Sequence, residues 1–124
     1  MQKILVTGGA GYIGSHVAVQ LLKNPEYSIV LVDSFINSSP CMVSKIQEIS
    51  RQKVSAHTID IRDSDGLIDI INYEKPNSVI HLAGLKSVAE SKRLPLQYYS
   101  HNVAGTISLL YALNICNIKK IVFS

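Results

Sequence analysis

No apolar run in this sequence approaches the roughly 20 residues a membrane-spanning helix needs. The N-terminus passes from Met1-Gln2-Lys3 straight into a short strand-like segment, with no long apolar core and no small-residue cleavage site. Neither an export signal nor membrane association is expected. Cysteine is scarce: Cys41 and Cys116 stand alone, without a C-x-x-C pair or a Cys/His cluster. That argues against a disulfide framework or a metal site and predicts reduced, structural thiols in a cytoplasm. An excess of one charge is missing too. The net charge is +3, and the basic residues are scattered rather than gathered with aromatics, so no nucleic-acid partner is expected. No internal repeat, low-complexity tract or linker interrupts the chain.

What is present is a rhythm of short apolar runs alternating with helical periodicity. Runs at about Lys3–Thr7, Ser28–Asp33, Ser55–Ile59, Ser78–Leu82 and Lys120–Ser124 read as parallel strands buried on both faces. Between the first two, Ile13, Val17 and Leu21 form a stripe at i, i+4, i+8, and Asn24-Pro25 ends the helix. A weaker helix is expected over Cys41–Arg51. A third is capped by Asp63 or Ser64, buries Leu67, Ile70 and Ile71, and is broken by Lys75-Pro76. The longest should run from about Leu96 to Leu113, with Leu96, Tyr99, Val103, Ile107, Leu110 and Leu113 at 3 and 4 spacing. Right-handed crossovers turn this order into an α/β, doubly wound (Rossmann) parallel sheet of strand order 3-2-1-4-5, with a crevice at the carboxyl ends of strands 1 and 4.

The most informative stretch is Gly8-Gly9-Ala10-Gly11-Tyr12-Ile13-Gly14, directly after the apolar run Ile4-Leu5-Val6. It reads as a strand turning into a helix around a dinucleotide pyrophosphate. Gly8 permits the tight turn, Gly11 lets the backbone approach the phosphates, and Gly14 allows close helix-to-strand packing. The helix N-terminus then faces the anion. Asp33 closes the second strand nineteen residues beyond Gly14, close to the roughly 20-residue offset of the acidic residue that binds an adenosine ribose. A carboxylate there repels a 2′-phosphate, and Ser34-Phe35-Ile36-Asn37 offers no Arg to bind one, so NAD is favoured over NADP. The bland alternative is an aspartate that merely ends a strand.

Several segments together resemble the N-terminal part of the UDP-glucose 4-epimerases, extended members of the short-chain dehydrogenase/reductase superfamily. They are Val6 to His16, Asp33 with Asn37-Ser38, and Asp60-Ile61-Arg62-Asp63. The most specific is Val79 to Ser91, which contains Ala83-Gly84-Leu85-Lys86 and Glu90-Ser91, followed by Pro95 to Tyr99 and Asn102 to Thr106. The resemblance implies that Tyr12 and Ile13 carry backbone amides to the pyrophosphate. It implies too that Asp33, Asn37 and Ser38 hold the adenosine ribose, that Asp60 and Ile61 flank the adenine, and that Leu82, Ala83, Gly84 and Lys86 line the middle of the cofactor, Lys86 donating to ribose hydroxyls. Asp60 can instead belong to a capping turn and Lys86 can be a solvated loop charge. His81, inside an apolar strand, reads as a satisfied core histidine rather than a catalytic one. Ser34, Leu82 and His101 depart from the family, which usually has Asn, Phe and, in bacterial members, often Asn at these places.

The family's chemistry is carried by a Ser or Thr after the fifth strand and a Tyr-x-x-x-Lys motif. None of Tyr12, Tyr27, Tyr73, Tyr98, Tyr99 or Tyr111 has a lysine four residues later. At 124 residues the chain is one domain at most, and it stops inside an apparent strand, which reads as a truncation. The resemblance therefore implies residues 1–124 as the NAD-binding domain of an enzyme that interconverts UDP-glucose and UDP-galactose, with no catalytic residue and no substrate domain in hand and with a homo-oligomer expected. Rival readings are another sugar-nucleotide dehydratase or decarboxylase, and a non-catalytic NAD-sensing module.

Overall fold

The computed structural model describes residues 1–124, and its strands fall where the apolar runs do. They are β1 (Gln2–Thr7), β2 (Tyr27–Asp33), β3 (Ser55–Thr58), β4 (Ser78–His81) and β5 (Ile121–Phe123), all parallel in one sheet of order β3-β2-β1-β4-β5. This is the expected doubly wound order. Leu5, Val6, Val30, Leu31 and Val79 are buried because the central strands β2, β1 and β4 are covered on both faces. The edge strands β3 and β5, expected from their sequence to be buried, are largely exposed because each has a neighbour on one side only and little cover on its faces.

Helices α1 (Tyr12–Leu21) and α2 (Cys41–Ser50) cover one face over Ile4, Val6, Ile29 and Leu31. The other face carries α3 (Ser64–Glu74) and α6 (Gly105–Ile115) over Leu5, Val30, Val32 and Val79. Between β4 and α6 come two short helices, α4 (Val88–Arg93) and α5 (Pro95–Tyr98), and a π-helical segment, Tyr99–Ala104.

Two helix faces differ from the sequence pattern. In α1 the buried positions are Gly14, Ser15 and Ala18, with Leu22 just beyond, one step round from the Ile13, Val17, Leu21 stripe. Ile13 is exposed. The helix must approach the strand closely, so its contact face consists of small residues that a count of apolar side chains overlooks. In the Leu96–Leu113 stretch the stripe itself is displaced: Leu96, Tyr99, Val103, Ile107 and Leu110 are exposed, whereas Gly105, Leu109, Ala112 and Leu113 are buried. The π turns rotate the helix relative to a continuous α-helical count. In α3, Asp63 is the cap, accepting from the Gly66 amide at 3.0 Å. Leu67 and Ile71 are buried, and Ile70 is partly so.

Candidate functional site

The glycine loop is shaped by contacts that a side chain would obstruct. Gly8 has φ +68°, and a Cβ there would lie 2.8 Å from the Ala83 amide nitrogen, so the loop turns and meets the end of β4 at one point. A Cβ on Gly14 would overlap the Gly8 carbonyl, which keeps the first turn of α1 tight against the loop. Gly11 is the helix N-cap, and no side chain caps α1. The Tyr12, Ile13 and Gly14 amides have no intrahelical acceptor and stand at the positive end of the helix dipole.

These residues open onto a cleft of about 530 Å³ across the carboxyl ends of the strands. Its walls include Gly8, Gly11, Tyr12, Ile13 and Gly14 from the loop and α1, Asp33 at the carboxyl end of β2, and Asn37 and Ser38 beyond it. Asp60 and Ile61 follow β3, and Leu82, Ala83, Gly84 and Lys86 follow β4. Every position assigned to a cofactor from the sequence is thus on one surface. Ser87, Glu90, Tyr98 and His101 line it as well. Their sequence carries no cofactor assignment, although Ser87, Glu90 and Tyr98 lie in the segments that carry the resemblance and His101 is one of its departures; how the short helices after β4 bring them to the cleft follows from no local pattern.

The Asp33 carboxylate is held at three points: Oδ2 accepts from the Ala10 amide at 3.0 Å, and Oδ1 from the Phe35 amide at 2.8 Å and the Ser38 hydroxyl at 3.1 Å. Of about four acceptor positions on a carboxylate, one is open. Ser38, expected on a ribose, donates to Asp33 here.

Asp60 is held by Arg62, and the hydrogen bonds from that guanidinium lower its pKa to about 2 against the opposing effect of burial. Asp60 accepts from the Arg62 amide two residues on, while the helix cap is Asp63.

On the β4 side, Thr7 Oγ1 accepts from the Leu82 and Ala83 amides, both at 3.1 Å, and lies 2.6 Å from His81 Nδ1. With its lone pairs so engaged, the Thr7 hydroxyl donates to Nδ1, which assigns the ring proton to Nε2. That N–H points to Thr106 Oγ1 at 3.0 Å, and the Thr106 hydroxyl donates to the Asn102 carbonyl at 2.6 Å. His81 is a satisfied core histidine, and burial, aided by the charge of Lys86, lowers its pKa.

Two further side chains fasten the loop after β4. Asn102 accepts from the Leu85 amide at 2.8 Å and donates to its carbonyl at 2.9 Å. Tyr98 Oη accepts from the Ser87 amide at 3.0 Å and donates to Glu90 at 3.1 Å. Lys86 is exposed in this loop and needs no partner within the fold to explain its place at the rim.

Residues 5–124 match the family model described as GDP-mannose 4,6 dehydratase. Over its whole length the chain is 46% identical to the bifunctional protein GAL10 of Pachysolen tannophilus, of which it covers 18%. Over 98% of its length it is 47% identical to UDP-glucose 4-epimerase 4 of Oryza sativa subsp. japonica, covering 33% of that protein. Among solved structures, a UDP-glucose 4-epimerase from Stenotrophomonas maltophila, crystallised with bound NAD and formylated UDP-arabinopyranose, superposes with a TM-score of 0.96 at 39% identity. The match takes in 99% of this chain and 36% of that one. The chain thus spans about a third or less of the length of these relatives. No helix is long and apolar enough to cross a membrane.

Proposed function

Because the chain belongs to the GDP-mannose 4,6 dehydratase family, we propose that residues 1–124 are the NAD-holding part of a UDP-glucose 4-epimerase, an isomerase of nucleotide sugars. The observation that carries this reading is the cleft: an uncapped helix N-terminus, a glycine cradle and the acidic residue that ends β2 lie on one wall-to-wall surface. The Gly-Leu-Lys and Glu-Ser pattern at Gly84–Lys86 and Glu90–Ser91 supports an epimerase over its dehydratase cousins.

In this reading the amides of Tyr12 and Ile13 hold the pyrophosphate and the absence of a Cβ at Gly11 gives it room, while Gly8 and Gly14 keep the loop close to β4 and to the first turn of α1. Asp33, with Asn37 and Ser38, takes the adenosine ribose. Asp60 and Ile61 flank the adenine. Leu82, Ala83, Gly84 and Lys86 run along the middle of the cofactor. NAD, when bound, takes up a hydride from the sugar and returns it; the chain's own part is to bind and orient it. The proton-transferring tyrosine has no counterpart among these 124 residues, so the polypeptide by itself is expected to turn over no UDP-galactose. A UDP-sugar as the whole enzyme's substrate, a cytoplasmic setting in keeping with the free thiols of Cys41 and Cys116, and a homo-oligomer belong to the same proposal.

Calorimetric titration tests it. NAD should bind one to one and NADP at least about tenfold more weakly, a difference of about 1.4 kcal/mol. Equal affinities would remove Asp33 from its role, and turnover by these 124 residues near that of a complete epimerase would contradict the proposed division of labour.

A further inference from the structure

Arg62 does not line the cleft, yet it controls a carboxylate that does. Its amide and Nε each donate to Asp60 Oδ1 at 2.9 Å, and its Nη2 donates to Oδ2 at 2.6 Å. Three of about four acceptor positions are therefore taken, all by one residue. The position left open is on Oδ2. The arginine is itself anchored: Nη1 donates to Ser100 Oγ at 2.9 Å in the π-helical segment, and its carbonyl accepts from Ser108 Oγ of α6 at 3.2 Å.

We propose that Arg62 is a positioning residue that leaves Asp60 a single open acceptor, so that the adenine end of the cleft selects a purine bearing an exocyclic amino group over one bearing a carbonyl oxygen there. This rests on the reading that NAD occupies the cleft. A planar guanidinium fork orients a carboxylate in a way a point charge does not. Both partners are partly exposed, so the pair adds little to stability; its effect is on direction. The same fork keeps Asp60 ionised, with its pKa at about 2, and an ionised carboxylate can only accept. An amino group facing it makes a charge-assisted hydrogen bond, whereas a carbonyl oxygen meets it with two acceptors and no proton.

The test compares NAD with nicotinamide hypoxanthine dinucleotide, in which a carbonyl replaces the adenine amino group, titrated into the wild type, Arg62→Met and Arg62→Lys. The wild type should favour NAD by roughly tenfold or more, as expected for a hydrogen bond to a charged group. Both variants should bring that ratio below about threefold, and carbon-13 titration should show the Asp60 carboxyl midpoint rising in Arg62→Met. A purely structural role for Arg62 weakens both cofactors together and leaves the ratio unchanged. An unchanged ratio in either folded variant, or equal binding of the two cofactors by the wild type, overturns the proposal. If the wild type binds neither cofactor, the assignment of the cleft to NAD fails instead.

Discussion

His81 and Glu74 are the buried titratable side chains, and each gives the stability a pH dependence whose sign is set by its partners. The neutral His81 ring fills both hydrogen-bond positions inside the core. As pH falls through about 6.5 the unfolded histidine takes up a proton, while burial keeps the folded ring neutral to lower pH. The unfolded state then binds more protons, and stability declines from that point downward. Urea denaturation between pH 7.5 and 5.5 should show this slope in the wild type and a flatter one in His81→Gln. Glu74 acts lower on the scale. Burial, the largest single influence, raises its pKa, but the Ser55 hydroxyl at 2.5 Å, His57 Nε2 at 2.9 Å and the charge of Lys3 together outweigh it and the net shift is downward. Its contribution is present above about pH 4.3 and is lost as pH falls through the lower folded value. Replacing Glu74 by Ala removes its hydrogen bonds to Ser55 and His57, partners that water can still reach, and should cost about 0.5–1.5 kcal/mol for each bond at pH 7. An unchanged denaturation midpoint would show that the cluster contributes nothing.

At the scale of the element, the strand positions and the buried face of α3, with Leu67 and Ile71 inside and Ile70 partly so, are legible in the sequence, whereas the contact faces of α1 and α6 and the exposure of the edge strands are not. A parallel strand covered on both sides must be apolar along its length, so β1, β2 and β4 declare themselves as runs. The contact face of α1 is legible only from the glycine motif, because Gly14 and Ala18 add little to an apolar stripe. In α6 the π-helical turns before it shift the register, and no propensity marks where they fall. The buried face can be tested directly. Leu109→Ala, at a site with 0% exposure, should cost about 2–5 kcal/mol, while Ile107→Ala, at 62% exposure, should stay within about 0.5 kcal/mol. The reverse order would restore the stripe read from the sequence. The π-helical segment also sets the cleft. Asn102→Ala removes both hydrogen bonds to Leu85, about 1 kcal/mol each, and should loosen the Gly84–Ser87 loop, read as faster amide exchange at Leu85 and Ser87.

Across the whole molecule, topology follows from the alternation of elements, and the cleft from the glycine loop and the acidic residue at the carboxyl end of β2. What stays hidden is the set of side-chain ties that fix loops to helices, Arg62 to Ser100 across 38 residues and Tyr98 to Ser87 across 11, which depend on how those segments meet in three dimensions. The exposed stripe from Leu96 to Leu110 and the exposed edge strand β5 are features that favour self-association. Light scattering behind a sizing column at micromolar concentration should therefore find a dimer or larger species, and a sharp monomer peak would count against the oligomer. The most direct test of the account is amide chemical-shift mapping during NAD titration. The shifts should concentrate at Gly8–Gly14, Asp33–Ser38, Asp60–Ile61 and Leu82–Lys86. Shifts gathered instead around Lys75, Lys119 and Lys120 at the opposite end of the sheet, or none at saturating NAD, would contradict it.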